Sequence, residues 1–156
     1  ITFGADQERG LRPGTENVPA IVGLGMAARL ARERLPEVTV QLRHLCDRLY
    51  AQLAAAIPDL VLNGHPDERL PNTLHVSFPG VTGRALLHTA SAEVAASLGS
   101  ACHSAHDAVS GVLAAMGVNA GRAAGAVRLS VGMMTSDEDI DHAAAGLIRA
   151  WQELTR

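Results

Sequence analysis

Apolar residues recur with a helical period through the first third of the chain. From residue 18 to 35 they lie on most sides of the predicted helix, and Asn17 is placed to cap it. From residue 37 to 56 they form a single stripe, which consists of Val38, Leu42, Leu45, Leu49 and Leu53. A proline inside a helix loses a hydrogen bond and clashes with the preceding turn, so Pro36 is expected to end or kink the helix.

The rest of the chain mixes short alternating segments with short helical ones. Alternation over 73–78 and 127–131 predicts two strands that each place one face on a core. Other indicated elements are strands at 60–62 and 93–97, helices at 83–89 and 109–116, and a loop over residues 1–17. A last helix opens where Thr135 and Glu138 have capping-box spacing. This mixture predicts an α/β protein in which helices cover one face of a sheet.

The composition agrees with a single folded domain. The chain has 156 residues, of which 47% are hydrophobic and 19% are charged, and a core can be buried at that length. Its longest apolar runs fall short of a membrane span. With a formal charge of −3, the chain lacks the excess of positive charge that is typical of nucleic-acid-binding proteins. Neither nucleic acid nor a membrane is therefore expected as a partner.

All thirteen residues of the lysine and arginine class are arginines. Because the sequence contains no lysine, this chain itself supplies no lysine amine for Schiff-base catalysis. It begins Ile-Thr-Phe-Gly, without an initiator methionine or a signal-peptide pattern, and is expected to be a piece of a longer protein. Two cysteines are too few for a disulfide scaffold, which favours a reducing compartment and a cytoplasmic location.

Cys102 is the first candidate for chemistry, because it lies in a loop of small residues with His103 and His106 nearby. Either histidine can favour the reactive thiolate, whereas the alternative is a small buried side chain. A zinc site is a further alternative, but this cluster offers three ligands where a structural site needs four. No metal is therefore expected. Cys46 adjoins the leucine stripe and is expected to be structural filler.

Two other segments carry candidate binding groups. On the 127–131 strand, the pleat sends Arg128 away from the core. Its guanidinium can clamp a carboxylate there, or it can form an ion pair with an acidic residue of the final helix. Thr15 lies in a glycine-rich turn ahead of the first helix, a setting that can bind phosphate. A capped helix entry explains the same turn more simply, and the local sequence by itself favours it.

Four motifs carry a family resemblance. They are Gln-Glu-Arg-Gly-Leu-Arg-Pro-Gly-Thr-Glu-Asn at 7–17, Leu-Pro-Asn-Thr at 70–73, Gly-Ser-Ala-Cys-His-Ser at 99–104 and Val-Arg-Leu-Ser-Val-Gly at 127–132. In this order they resemble the C-terminal part of the cysteine desulfurases and selenocysteine lyases. These enzymes are class V aminotransferases that use pyridoxal 5'-phosphate (PLP). The Cys-His-Ser sequence leans towards the selenocysteine lyase branch.

The resemblance implies a role for each candidate residue. Cys102 would receive sulfur as a persulfide or assist selenium elimination, Arg128 would pair with the substrate α-carboxylate, and Thr15 would reach the PLP phosphate of the partner subunit in a homodimer. The implied substrate is L-cysteine or L-selenocysteine, the co-product is alanine, and an acceptor protein would take the sulfur or selenium. The family's PLP-binding lysine lies upstream of the segment that resembles residue 1, in agreement with a chain that has no lysine.

The resemblance also implies a domain organisation. The chain would be the small C-terminal domain of a fold-type I, aspartate aminotransferase-like PLP enzyme. Residues 1–17 would come from the junction with the large domain, and residues 18–156 would form the small domain with its linking helix. The chain by itself is expected to be inactive. The competing hypothesis is a truncated, non-enzymatic module that acts in dimerisation or protein interaction.

Overall fold

The computed structural model describes residues 3–98 and 110–156. It divides them into two compact units, one up to Glu37 and one from Val38 onward. The candidate residues Cys102, His103 and His106 lie outside the described residues. None of the helices in the described part of the chain combines the length and the apolar composition that a membrane crossing requires.

The first unit contains a loop and the beginning of a long helix. A short 3-10 turn at Glu8–Gly10 interrupts the predicted loop, and helix α1 spans Val18–Ala56. Asn17 caps it as predicted, because its Oδ1 accepts the Ala20 N–H at 3.1 Å. The helix continues through Pro36. Good helix formers precede the proline and a packed stripe follows it, and together they offset the backbone hydrogen bond that proline lacks.

The second unit is built on a three-stranded antiparallel sheet of order β1-β2-β3. The strands are β1 at Val61–Leu62, β2 at Thr73–Ser77 and β3 at Ala126–Ser130. Besides the second part of α1, the described residues of this unit form four helices: α2 at Gly83–Thr89, α3 at Gly111–Ala115, α4 at Ala120–Ala124 and α5 at Asp137–Leu154. The two alternating segments of the sequence thus pair in one sheet, as predicted.

The core lies on one face of this sheet. The inward side chains of β2 and β3 pack against the leucine stripe of α1 and against α2 and α5. Its largest fully buried side chains are Phe78, Leu53, Ile57, Leu74, Leu86, Leu147, Val76, Val127 and Cys46. Because successive strand residues point to opposite faces, the polar side chains of β2 and β3 are collected on the other face.

One predicted strand is wrong. Residues 93–97 form no strand, because the chain continues to turn after α2 and the Val94 N–H is bonded to the Ala90 oxygen at 2.9 Å. Amides engaged in such a turn are not available to a sheet. Only Ser97 reaches the sheet, through an isolated bridge to Arg128.

The start of α5 also differs by one residue from the prediction. The capping box is formed by Ser136 and Asp139, whose side chains and backbone amides exchange hydrogen bonds. Thr135 instead accepts the Gly132 N–H at 3.0 Å, which closes the turn before the helix. Two adjacent hydroxyl residues and three acidic residues give the sequence two equivalent capping registers. The turn geometry selects one of them.

Candidate functional site

Arg128 lies on the polar face of the sheet, as the pleat predicts. Its neighbours Val127 and Leu129 are buried, whereas Arg128 is exposed. Two acidic residues of α5 are engaged elsewhere, because Asp141 binds Arg48 and Asp137 contacts His44. Within residues 3–98 and 110–156, no acidic side chain pairs with Arg128. The described residues therefore do not support the ion-pair alternative. The guanidinium of Arg128 can instead bind an anion through its N–H donors.

His75 is the cross-strand neighbour of Arg128 in the β2–β3 register. The N–H and C=O of Arg128 both bond to Ser97, at 2.7 and 3.2 Å, and therefore point away from β2. His75 and Arg128 are accordingly a non-hydrogen-bonded pair, the arrangement in which facing side chains come closest. The imidazole and the guanidinium thus lie side by side on one face.

Asn63 connects His75 to a second arginine. Arg122, on helix α4, donates to the Asn63 Oδ1 from Nε at 3.0 Å and from Nη2 at 2.6 Å. The Nδ2 of Asn63 then faces His75 Nδ1 at 3.0 Å and Ser77 Oγ at 2.8 Å. Asn63 is 7% exposed, and both ends of its amide are used.

This network determines the tautomer of His75, that is, which ring nitrogen carries the proton. A guanidinium has no acceptor, so Arg122 must face the amide oxygen, and the amide nitrogen must therefore face His75. His75 Nδ1 is thus an acceptor, and the neutral ring carries its proton on Nε2. Burial, together with the positive charge of Arg128, lowers the pKa of His75 from its ordinary value. The side chain is therefore a neutral donor at neutral pH.

Thr15 belongs to the first unit and is described within it. Arg12 organises its loop by donating to the Gly14 oxygen at 2.5 Å and by approaching Glu8 and Glu16. The Gly14 N–H is held by Gln7 Oε1 at 2.9 Å. The hydroxyl of Thr15 has no partner among the residues that the structure describes. It remains available to a ligand ahead of α1.

Cys46 is the packed thiol that the leucine stripe predicts. It is fully buried in the core, and burial raises the pKa of its thiol. Across residues 3–98 and 110–156, no three His, Cys, Asp or Glu side chains are grouped as metal ligands. Cys102 and its two histidines lie outside that range, so their predicted roles stay predictions.

Sequence reasoning missed Asn63, His75 and Arg122 as members of a site. By itself the sequence favours an ordinary surface or satisfied histidine at His75 and a turn at Asn63-Gly64. The alternation over 73–78 does place His75 on the polar face. No local pattern, however, indicates that its strand pairs with β3 in the register that opposes Arg128.

Known proteins with similar sequences belong to one enzyme family. The sequence profile of the class-V aminotransferases matches residues 2–142. A cysteine desulfurase from Gluconacetobacter diazotrophicus is 45% identical over 139 residues, which are 88% of this chain and 35% of that protein. The cysteine desulfurase IscS from Methanosarcina thermophila is 46% identical over 142 residues, which are 90% of this chain and 35% of that protein.

Solved structures show the same relationship. A NifS-like protein from Rickettsia africae has a TM-score of 0.76 and 29% identity, covering 99% of this chain and 39% of that one. The chain spans 35% of the length of the two curated relatives described above. The predicted α/β fold, a small sheet covered by helices, is confirmed by this likeness. Because the profile spans most of its length and the fold agrees, the chain belongs to the class-V aminotransferase family.

Proposed function

We propose that this chain is the C-terminal part of a PLP-dependent cysteine desulfurase, which removes sulfur from L-cysteine and leaves L-alanine. The observation that carries the proposal is the exposed guanidinium of Arg128, which has no acidic partner among the described residues. It occurs in a chain that is 45% identical to a cysteine desulfurase.

Arg128 would bind the α-carboxylate of the substrate. A guanidinium forms two parallel hydrogen bonds with a carboxylate, and such bonds are stronger than neutral ones. The two faces of strand β3 differ in a way that favours this role. The buried Val127 and Leu129 anchor the strand in the core, while the arginine extends from the polar side.

The cofactor fits this chain in part. The unpartnered hydroxyl of Thr15, in a glycine turn ahead of α1, fits one contact with a phosphate. The lysine amine that attaches PLP is absent from the sequence and must come from outside these 156 residues. When bound, PLP withdraws electrons from the α-carbon of the substrate.

Cys102 would act as the nucleophile. Its thiolate attacks the sulfur of the bound cysteine, a sulfur–sulfur bond forms, and the carbon–sulfur bond breaks. The electron pair left on carbon takes up a proton, which gives alanine, while Cys102 keeps the sulfur as a persulfide. An acceptor protein would then receive this sulfur.

Several finer assignments belong to the same proposal. The enzyme would be a cytoplasmic homodimer in which Thr15 reaches the phosphate bound by the partner subunit. The Cys-His-Ser sequence at 102–104 makes L-selenocysteine the alternative substrate. Comparing kcat/KM for the two amino acids under anaerobic conditions would decide between them.

The proposal is tested in the full-length protein loaded with PLP. Wild type should form alanine from L-cysteine and carry a persulfide, which mass spectrometry of the intact protein detects. Cys102→Ser should abolish both, whereas Cys46→Ala is the control and should mainly reduce stability, by about 1 kcal/mol. Sustained alanine formation by Cys102→Ser would contradict the assigned nucleophile. The 156-residue chain with added PLP should form no alanine.

A further inference from the structure

The polar face of the sheet presents a second hydrogen-bond donor beside Arg128. The imidazole of His75 is directly opposite in the strand register, and its Nδ1 is occupied by Asn63. Its Nε2 has no hydrogen-bond partner among residues 3–98 and 110–156. We propose that His75 is a second substrate-binding residue, which donates its Nε2 proton to the same carboxylate that Arg128 binds. The inference rests on the proposed function for the identity of that carboxylate.

The position of the His75 Nε2 donor follows from the geometry of the imidazole ring and from the pairing of β2 with β3. In an imidazole, Nε2 lies at the end of the ring remote from the backbone, so it projects from the face of the sheet. Arg128 extends from the adjacent position of the same face. A non-hydrogen-bonded pair brings the two side chains closest together, so one small anion can contact both.

The charge of this pair suits a carboxylate. Two cations in a close cross-strand pair would repel each other, whereas a neutral imidazole beside a guanidinium avoids that cost. A carboxylate offers about four acceptor positions, and a guanidinium fork uses two of them. The neutral N–H of His75 can use a third. This second donor would fix the orientation of the carboxylate about the axis of the arginine fork.

Asn63 and Arg122 act as positioning residues for this donor. Arg122 donates two hydrogen bonds to the Asn63 oxygen and a third to the Leu62 oxygen at 3.0 Å, which holds the amide in one orientation. Asn63 is buried, so its Nδ2 cannot turn to water in place of His75. The proton of the ring is therefore kept on the outward nitrogen.

Two isosteric substitutions separate substrate binding from structure. The side-chain amide of asparagine reaches the position of Nδ1, and that of glutamine reaches the position of Nε2. His75→Asn keeps the contact with Asn63 but loses the outward donor, and His75→Gln does the reverse. In the loaded full-length enzyme, His75→Asn should raise the KM for L-cysteine by about tenfold, since a hydrogen bond to a charged group is lost. His75→Gln should raise it clearly less, and kcat should change little in both.

A binding measurement on the 156-residue chain needs no turnover. In a ¹⁵N-labelled sample, the His75 ring should show Nδ1 unprotonated and Nε2 protonated. Acetate, used as the carboxylate probe, should shift the Nε2 signal saturably. Arg128→Gln should abolish that shift, and the ring signals of His88 on α2 should not move.

The two experiments distinguish failure of the inference from failure of the proposed function. If wild type turns over cysteine but His75→Gln raises KM as much as His75→Asn or more, His75 is structural and the inference is overturned. An Nδ1-protonated ring, or an acetate shift that survives in Arg128→Gln, would overturn it as well. If acetate binds as expected but wild type forms no alanine, the desulfurase proposal fails while the carboxylate site stands.

Discussion

At the residue scale, one side-chain amide organises the polar face of the sheet. Asn63 receives two hydrogen bonds from Arg122 and supplies hydrogen bonds to His75 and Ser77. Because the amide is buried, none of these four contacts can be replaced easily by water. The asparagine thus stabilises the fold and sets the protonation of a neighbouring histidine at the same time.

Replacing this amide should have a measurable cost. Asn63→Ala leaves the buried groups of its partners without hydrogen bonds and should reduce the free energy of unfolding by about 2 kcal/mol. Asn72→Ala is the matched control, since within the described part of the chain the Asn72 side chain accepts a single long hydrogen bond, from Thr73 at 3.3 Å. Urea denaturation measures both variants. If the two variants lost equal free energy of unfolding, the buried hydrogen bonds of Asn63 would contribute no more to stability than the single long one of Asn72.

A second residue-scale prediction concerns acid stability. Hydrogen bonds from Arg48 and Gln52 lower the pKa of Asp141 from 3.8 to about 2. A depressed carboxyl pKa contributes stability that is present above the unfolded value and is lost as pH falls through the folded value. Wild type should therefore exceed Asp141→Asn in stability at pH 5, and the difference should shrink as pH falls towards 2.

Denaturation midpoints measured between pH 5 and pH 2 test this expectation. Glu153→Gln is the control, because the Glu153 carboxylate makes no ion pair with any residue that the structure describes. Its difference from wild type should stay nearly constant over the same range. A constant difference for Asp141→Asn as well would show that the contact with Arg48 does not persist in solution.

At the scale of elements, α5 depends on its first turn. Ser136 accepts the Asp139 N–H at 3.1 Å, and Asp139 accepts the Ser136 N–H at 2.8 Å. Each bond satisfies an amide that the helix itself leaves free. The helix also covers the core side of the sheet with Ile140, Ala144 and Leu147. Fraying at this end would therefore loosen the packing behind β3.

The capping register can be tested by a pair of neighbouring acidic residues. Asp139→Ala should reduce the free energy of unfolding by about 1 kcal/mol, the usual cost of a lost cap. Glu138→Ala removes a similar charge from the same turn but no capping bond and should cost less than half as much. Thermal unfolding monitored by circular dichroism compares them. A larger loss for Glu138→Ala would favour the register that the sequence suggested.

At the scale of the whole molecule, the first unit exposes apolar residues of α1. More than half of the surface of Leu24 and of several neighbouring side chains is open to solvent. These side chains are Val18, Ile21, Val22 and Leu35. Exposed apolar surface of this kind favours association. The isolated 156-residue chain is therefore expected to self-associate.

Sedimentation velocity over a hundredfold range of concentration, roughly micromolar to sub-millimolar, tests this expectation. Leu24→Glu should weaken association by about tenfold, because burial of one leucine is lost. Leu70→Glu is the matched control, since Leu70 is 69% exposed and Leu24 is 72% exposed, but Leu70 lies in the second unit. A monomer at every concentration would contradict the prediction.

Much of the fold could be predicted because its signals are local. The leucine stripe of α1, the alternation of β2 and β3, and the helix at Gly83–Thr89 follow from periodicity within a few residues. The false strand at 93–97 and the shifted capping box have a common cause. In both places the sequence permits two local structures, and contacts from outside the segment select one.

By itself the sequence determined the class of fold, the family resemblance, the absence of lysine and the outward position of Arg128. Each depends on residue identity or on the two-residue period of a strand. Only the tertiary structure decided that His75 opposes Arg128 and that Asn63 and Arg122 direct its proton. Strand register and the contact between Asn63 and Arg122 join residues far apart in the chain. No local period encodes such a contact, because it is decided by packing of the complete sheet.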